Sequence, residues 1–220
     1  MDFDHNKLIA QIAKQTLLPV GVKREGKSRF YYDDNGWWCT IVSFQPSSFS
    51  KGSYLNVGVC WLLYENDYWT FNVGSQAGSD RGFTSAKNES KFTSAVFEKA
   101  MYAKDIVENN RERFSTISKA HEYYQSIKRE GWDRYYAAVI AGMNHEFAIA
   151  ENDFNSLFEY PETYDWEKER NSRSRKLTDL LSRPKEFAET ATQIVLNSRT
   201  LHRLENKEPS QLGLPLVEEF

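Results

Sequence analysis

The chain has 220 residues, a net charge of −3 and 40% hydrophobic residues, a composition typical of a folded globular protein rather than a disordered one. The acidic balance provides no overall basic footprint for nonspecific nucleic-acid binding. No apolar run approaches the roughly 20 residues of a membrane-spanning helix, and the acidic N-terminus is unlike a secretory signal. We therefore expect a cytoplasmic protein without a membrane partner, in which Cys39 and Cys60 are reduced, buried thiols.

The first predicted element is a helix. Apolar side chains recur at helical spacing between Leu8 and Leu17, and either Asp2 or Asp4 precedes them as an N-cap. Pro19 follows this segment and predicts its end.

An aromatic hairpin is the strongest local signal in the sequence. Asn35-Gly36 separates two strand-like segments, residues 29–33 and 38–44, and this dipeptide is typical of a type I′ turn. A two-residue turn at that position pairs Tyr32 with Cys39 across the hairpin.

The hairpin has no polar face. Tyr31 and Trp38 lie on one face, and Trp37 belongs to the other. Such a hairpin is either sandwiched between two layers or uses one face for binding. If only one face is covered, the two tryptophans should differ in burial, and Trp38 should be the exposed anchor.

A second pair of strands is predicted after the hairpin. Residues 54–64 alternate in the manner of a strand, and residues 68–73 can return across a turn at Asn66-Asp67. Residues 74–82 read as a polar loop that leaves the sheet.

From about residue 88 the apolar pattern changes to a helical period. Five helical segments are predicted. The first carries an apolar stripe from Phe92 to Val107, and the third, capped by Asp133, runs or bends on to Phe158. We therefore predict an α+β protein with an N-terminal helix, a four-stranded antiparallel meander and a helical C-terminal half. We expect the chain to fold as one cooperative unit with three parts. These are a helix and sheet over residues 1–83, a helical region packed on that sheet over residues 84–206, and an extended tail over residues 207–220.

The common catalytic and cofactor motifs predict no active site and no cofactor site in this sequence. The sequence contains no glycine-rich nucleotide loop and no Gly-x-Ser-x-Gly elbow. His145-Glu146 matches half of a zincin motif, but Ile149 stands where the second histidine would be. We expect no cofactor, no metal site and no catalytic residue. We interpret the charged helix over residues 165–176 as a solvated face with intrahelical pairs, and a partner-binding surface is the alternative.

Positive residues lead into the aromatic hairpin. Lys23, Arg24 and Arg29 precede Tyr31 and Trp38. Arginine and aromatic side chains are common anchors of protein interfaces, which is one interpretation of this segment. A second is single-stranded nucleic-acid binding, in which basic side chains contact the phosphates and aromatic rings on a sheet stack on the bases. Ordinary core packing of the rings is the third interpretation.

The N-terminal part of the chain resembles a known family. The resemblance rests on residues 19–24, on Trp37-Trp38 and on residues 44–58, and it covers roughly residues 5–75. The family is bacterial and is known only as a domain of unknown function, so it implies a compact bacterial module and no catalytic residues. The most distinctive stretch of the resemblance adds three candidate binding residues, Gln45, Ser47 and Asn56.

Three functions stay open at this stage. We favour a non-enzymatic protein-binding module with a protein partner, of the accessory, immunity or defence-associated kind. One alternative is a hydrolase or nuclease whose site is assembled only in the fold. The other is single-stranded nucleic-acid binding through the basic and aromatic segment.

Overall fold

In the computed structural model, which describes residues 3–76 and 82–220, two units are distinguished by their internal contacts. The first comprises Met1–Cys60 and Trp69–Glu112, and the second comprises Trp61–Tyr68 and Arg113–Phe220. Asp2, the alternative N-cap, and residues 77–81 of the predicted loop lie outside the described residues.

The first unit is built mainly from a helix, an antiparallel sheet and a second, long helix. Hydrogen bonding joins the strands in the order β1-β2-β3-β4-β5, and β6 pairs with β4. The predicted α+β class, with an N-terminal helix, an antiparallel sheet and a helical C-terminal half, is confirmed. The elements are α1 (His5–Thr16), β1 (Lys23–Arg24), β2 (Phe30–Asp34), β3 (Trp38–Pro46), β4 (Gly52–Trp61), β5 (Val73–Gln76), β6 (Thr84–Ser85) and α2 (Glu89–Arg113).

Helix α1 forms where the sequence predicts it. The Asp4 carboxylate accepts hydrogen bonds from the backbone N–H groups of Asn6 and Lys7 at 3.0 and 3.1 Å, which caps the first turn. The chain leaves the helix through a 3-10 turn over Leu18–Val20, and Gly21 follows with φ +88°. A positive φ at this position suits glycine because it has no Cβ.

The predicted type I′ turn at Asn35-Gly36 is wrong. The Asn35 N–H donates to the Trp38 carbonyl at 2.9 Å, so the two-residue loop is Gly36-Trp37. Gly36 has φ +88° and Asn35 has no positive φ, a pattern typical of a type II′ turn. The Asn35 side chain instead donates to the Asp33 carboxylate at 2.8 Å, which holds Asn35 at the end of the strand.

The true register differs from the predicted one by two residues. Tyr32 lies opposite Ile41 rather than Cys39, and Asp34 lies opposite Cys39. Because side chains alternate with a period of two, this shift leaves each residue on its predicted face.

Trp37 and Trp38 are both buried, with 1% and 2% of their surface exposed. The expected difference in burial between these two tryptophans is therefore not observed. The two rings meet edge to face, with centroids 6.5 Å apart. Cys39 and Cys60 are free and buried, as predicted.

The predicted return strand over residues 68–73 is also wrong. The return strand is β5, which starts at Val73 and includes the first residues of the predicted loop. Gly58 and Gly74 lie opposite each other in this pair. A Cβ on Gly58 would lie 2.4 Å from the Val73 carbonyl oxygen, so the close approach of the strands requires glycine here.

One face of the sheet packs on α1 and α2. The predicted apolar stripe of α2 is fully buried against strand residues such as Tyr31, Val42 and Leu55. The stripe consists of Phe92, Val96, Ala100, Ala103 and Val107. Trp69 covers the Tyr32 and Phe30 rings of the opposite face, at centroid distances of 5.8 and 5.2 Å.

The second unit is helical. The third predicted helical segment is divided into two helices, Trp132–Met143 and Phe147–Phe158. Gly131 rather than Asp133 is the N-cap of the first of these two helices, and Asp133 lies in its first turn. The helices are α3 (Ile117–Ser126), α4 (Trp132–Met143), α5 (Phe147–Phe158), α6 (Asp165–Leu180) and α7 (Pro184–Leu201).

The C-terminal tail packs within the second unit. It contains two 3-10 turns, over Pro209–Gln211 and Val217–Glu219, and the second contacts α7. Leu212 is buried, and the Phe220 ring stacks on His145 with centroids 4.2 Å apart.

Candidate functional site

The basic residues predicted for binding lie on and near the edge strand β1. Arg24 lies opposite Tyr31 in the sheet, and its guanidinium donates to the carbonyls of Ser28 and Lys27 at 2.7 and 2.8 Å. Lys23 lies opposite Tyr32. Because of its two hydrogen bonds, the Arg24 guanidinium is bound to the turn that follows β1.

The rings of this predicted site do not form a surface. Tyr31 and Trp38 are buried, and burial raises the pKa of Tyr31. Arg29 approaches His5, with 3.3 Å between NH2 and Nε2. Neither Tyr31 nor Trp38 is thus available to a partner as an aromatic anchor.

Two of the three residues from the distinctive stretch meet in the structure. The Asn56 side chain donates to Gln45 Oε1 at 2.8 Å across β3 and β4. Ser47 lies in the following loop, where its hydroxyl accepts from the Phe49 N–H at 3.2 Å. These contacts lie at the end of the β3–β4 strand pair and in the loop that joins these two strands.

A set of exposed rings lies on the helical unit. Trp166 stacks on Trp132 with centroids 6.0 Å apart and an interplanar angle of 19°, and on Tyr164 at 6.2 Å and 8°. Tyr164 is 60% exposed and Trp166 is 46% exposed. Arg170 lies beneath these rings, with its Cζ 5.6 and 5.4 Å from the centroids of Trp132 and Trp166. We call Trp132, Tyr164, Trp166 and Arg170 the ring-arginine surface.

The sequence of α6 explains how this surface is held. Trp166 and Arg170 are four residues apart, so they share one face of the helix. The Glu167 carboxylate accepts hydrogen bonds from the N–H groups of Thr163 and Tyr164, both at 2.8 Å. This contact closes the first turn of α6 and fixes the backbone that carries Tyr164.

Arg170 is only 4% exposed. Its Nε and NH2 donate to Asn171 Oδ1 at 3.1 and 3.0 Å. Asn171 in turn donates to Glu162 Oε1 at 3.1 Å, and Glu162 also accepts from Arg175 at 2.7 Å. Burial lowers the pKa of Arg170. Its positive charge is thus balanced through an amide rather than by a directly bonded carboxylate.

A groove of about 420 Å³ lies between α6 and α7, and Arg173 is one of its lining residues. The Arg173 guanidinium lies 4.4 Å from the Tyr64 ring, and Tyr64 packs edge to face on Trp132 at 4.7 Å. Leu177 and Ile194 provide the apolar part of the groove lining. Pockets of this volume are large enough to receive a bulky side chain.

The sequence interpretation missed the ring-arginine surface because the charged pattern of α6 suggested a solvated helix. A signal was present in the tryptophan and arginine four residues apart, directly after Tyr164. The contribution of Trp132, from another helix, had no signal in the sequence.

Within residues 3–76 and 82–220, no three His, Cys, Asp or Glu side chains are grouped so that they could hold a metal ion. No helix in the described part of the chain is both long and apolar enough to cross a bilayer.

No protein-family model matches the chain, and neither does any curated protein or solved structure.

Proposed function

We propose that the protein is a non-enzymatic protein-binding module that contacts its partner through the ring-arginine surface. The observation that carries this proposal is the exposed, stacked pair of Tyr164 and Trp166 above the buried guanidinium of Arg170. Tryptophan, tyrosine and arginine are the residues that most often dominate the binding energy of protein interfaces.

The rings are held in place before any partner arrives. Trp166 is fixed between Tyr164 and Trp132, and Glu167 fixes the backbone of Tyr164. A ring that is already ordered loses little conformational entropy on binding, so more of its contact energy contributes to affinity.

The adjoining groove supports the same proposal. An interface needs a cavity into which a partner can insert an anchor, and the groove beside Arg173 offers apolar walls for one. The rings and the groove together favour a protein partner over an isolated small molecule.

The cellular setting is part of the proposal. The acidic composition and the resemblance over residues 5–75 support a bacterial, cytoplasmic protein of the accessory, immunity or defence-associated kind. Its candidate binding residues now include the ring-arginine surface in addition to the cations of β1.

Affinity capture from the native host, followed by mass spectrometry, tests the proposal. We expect the wild-type chain to recover a partner at near-stoichiometric yield and the Trp166→Ala variant to lose it. Phe97→Ala is the matched control, because this α2 ring is 51% exposed and lies outside the surface. Equal recovery by all three proteins, or recovery of no partner, would contradict the proposal. Turnover of phosphoester substrates would favour the hydrolase or nuclease alternative. Binding of single-stranded DNA that weakens with added salt would favour the nucleic-acid alternative.

A further inference from the structure

Arg170 is a buried charge that forms no ion pair with any carboxylate among the described residues. Buried arginines are nearly always paired, because an isolated charge in a protein interior is costly. Here the hydrogen-bond partner is the Asn171 amide, which engages Nε and NH2. NH1 makes no hydrogen bond to any residue that the structure describes.

The unpaired NH1 faces the beginning of α4. A Cβ placed on Gly131 would lie 3.9 Å from NH1, so the guanidinium is in contact distance of this N-cap residue. Gly131 has no side chain, so this N-cap residue makes no side-chain hydrogen bond to the first turn of the helix.

Two independent features therefore favour an anion at the same place. The N-terminus of this 12-residue helix carries a partial positive charge, although the Asp133 N–H is already used by the Glu130 carbonyl at 3.0 Å. Arg170 adds a full positive charge and a free donor, held in position by the rings of Trp132 and Trp166.

The surrounding charges indicate a singly charged anion. Glu130 and Asp133 flank Gly131 in sequence, and the Glu167 carboxylate interacts with the Arg170 charge. These three carboxylates repel any anion, and they repel a phosphate dianion about twice as strongly as a carboxylate, since the Coulomb energy is proportional to the charge.

We infer that the partner presents an acidic side chain, flanked by an aromatic residue, whose carboxylate pairs with NH1 of Arg170 beside Gly131. The aromatic neighbour stacks on the exposed faces of Trp166 and Tyr164. This inference rests on the proposed protein-binding function and specifies the chemistry of the segment that is bound.

Short peptides test the inference on the intact chain. The probe is an N-acetylated, C-amidated peptide of sequence Gly-Glu-Tyr-Gly, and the matched control replaces its Glu by Gln. Both are titrated while amide and indole N–H signals of Gly131 and Trp166 are followed by nuclear magnetic resonance. We expect the Glu peptide to bind about tenfold more tightly, because a charge-assisted hydrogen bond replaces a neutral one.

Variants assign the effect to Arg170. We expect Arg170→Gln to abolish the preference for the Glu peptide, and Arg183→Gln, an exposed arginine paired with Glu186, to preserve it. If Arg170→Gln fails to fold, the comparison of the two peptides on the wild-type chain still decides the matter.

Three results would overturn the inference: equal affinity for the two peptides, no shift of either signal, or a stronger response of Gly131 to inorganic phosphate than to the Glu peptide. Any of these, combined with loss of the captured partner in Trp166→Ala, would leave the proposed function standing. Retention of the partner in Trp166→Ala would instead contradict the proposed function itself.

Discussion

Arg111 and Asp33 form a two-point ion pair in the sheet unit. Arg111 NH2 lies 2.5 Å from Oδ1 and Nε lies 2.9 Å from Oδ2 of the carboxylate. The same guanidinium donates to the Val20 carbonyl at 2.6 Å, so one side chain of α2 connects the hairpin with the turn that follows α1. The hydrogen bond to Asp33 raises the pKa of Arg111.

We expect Asp33→Asn to lower the free energy of unfolding by about 2 kcal/mol, because it leaves Arg111 without its counter-charge. The effect stays below that of a fully buried pair, since the Arg111 side chain is 36% exposed. Urea unfolding followed by circular dichroism measures it. The control is Arg183→Gln, which breaks an exposed pair with Glu186 and should cost less than about 0.5 kcal/mol. Equal losses in the two variants would refute this prediction.

Gly36→Val should destabilise the protein by about 1 to 3 kcal/mol, because a β-branched residue strongly disfavours the positive φ of this turn. This loss of stability is expected although the turn type differs from the predicted one, because Gly36 has a φ of +88° in the observed turn. Gly36→Asn should cost less, since asparagine tolerates positive φ better. Thermal unfolding of both variants compares them, and an equal loss would show that backbone strain is not the cause.

Trp37→Ala and Trp38→Ala should each lower the free energy of unfolding by about 3 to 5 kcal/mol, because both rings are buried. Trp166→Ala should cost clearly less, since nearly half of that ring is exposed. Chemical denaturation of the three variants gives the comparison. A Trp38→Ala variant as stable as the wild type would mean that this ring is not part of the core.

Lys99 should make stability depend on pH above pH 8. Its Nζ donates to the carbonyls of Ser53 and Gly82, and burial lowers the pKa of Lys99 to about 8. Between that value and the ordinary pKa of 10.5, the unfolded chain binds more protons than the folded one, so stability rises with pH. Relative to Lys99→Met, the wild type should gain about 2 kcal/mol from pH 8 to pH 10. A constant difference between the two proteins over this range would exclude a shifted lysine.

The helices could be predicted because their signals are local. The apolar stripe from Phe92 to Val107 and the Asp4 cap of α1 each depend on residues within a few positions of one another. Interactions at this spacing depend little on the tertiary structure of the rest of the chain.

The hairpin turn could not be located from its dipeptide alone. Asn35 is held in the strand by the Asp33 carboxylate, and that carboxylate is fixed by Arg111, 78 residues further along the chain. A distant ion pair thus outweighed the local preference of Asn-Gly for a type I′ turn.

The sequence by itself determined the α+β class, the order of the helices, the buried thiols and the two apolar faces of the hairpin. Only the tertiary structure decided that Tyr31 and Trp38 are enclosed, because burial depends on what packs against a face and not on the face itself. It likewise decided that Trp132 meets Trp166 over Arg170, since side chains from separate helices come together only when those helices pack.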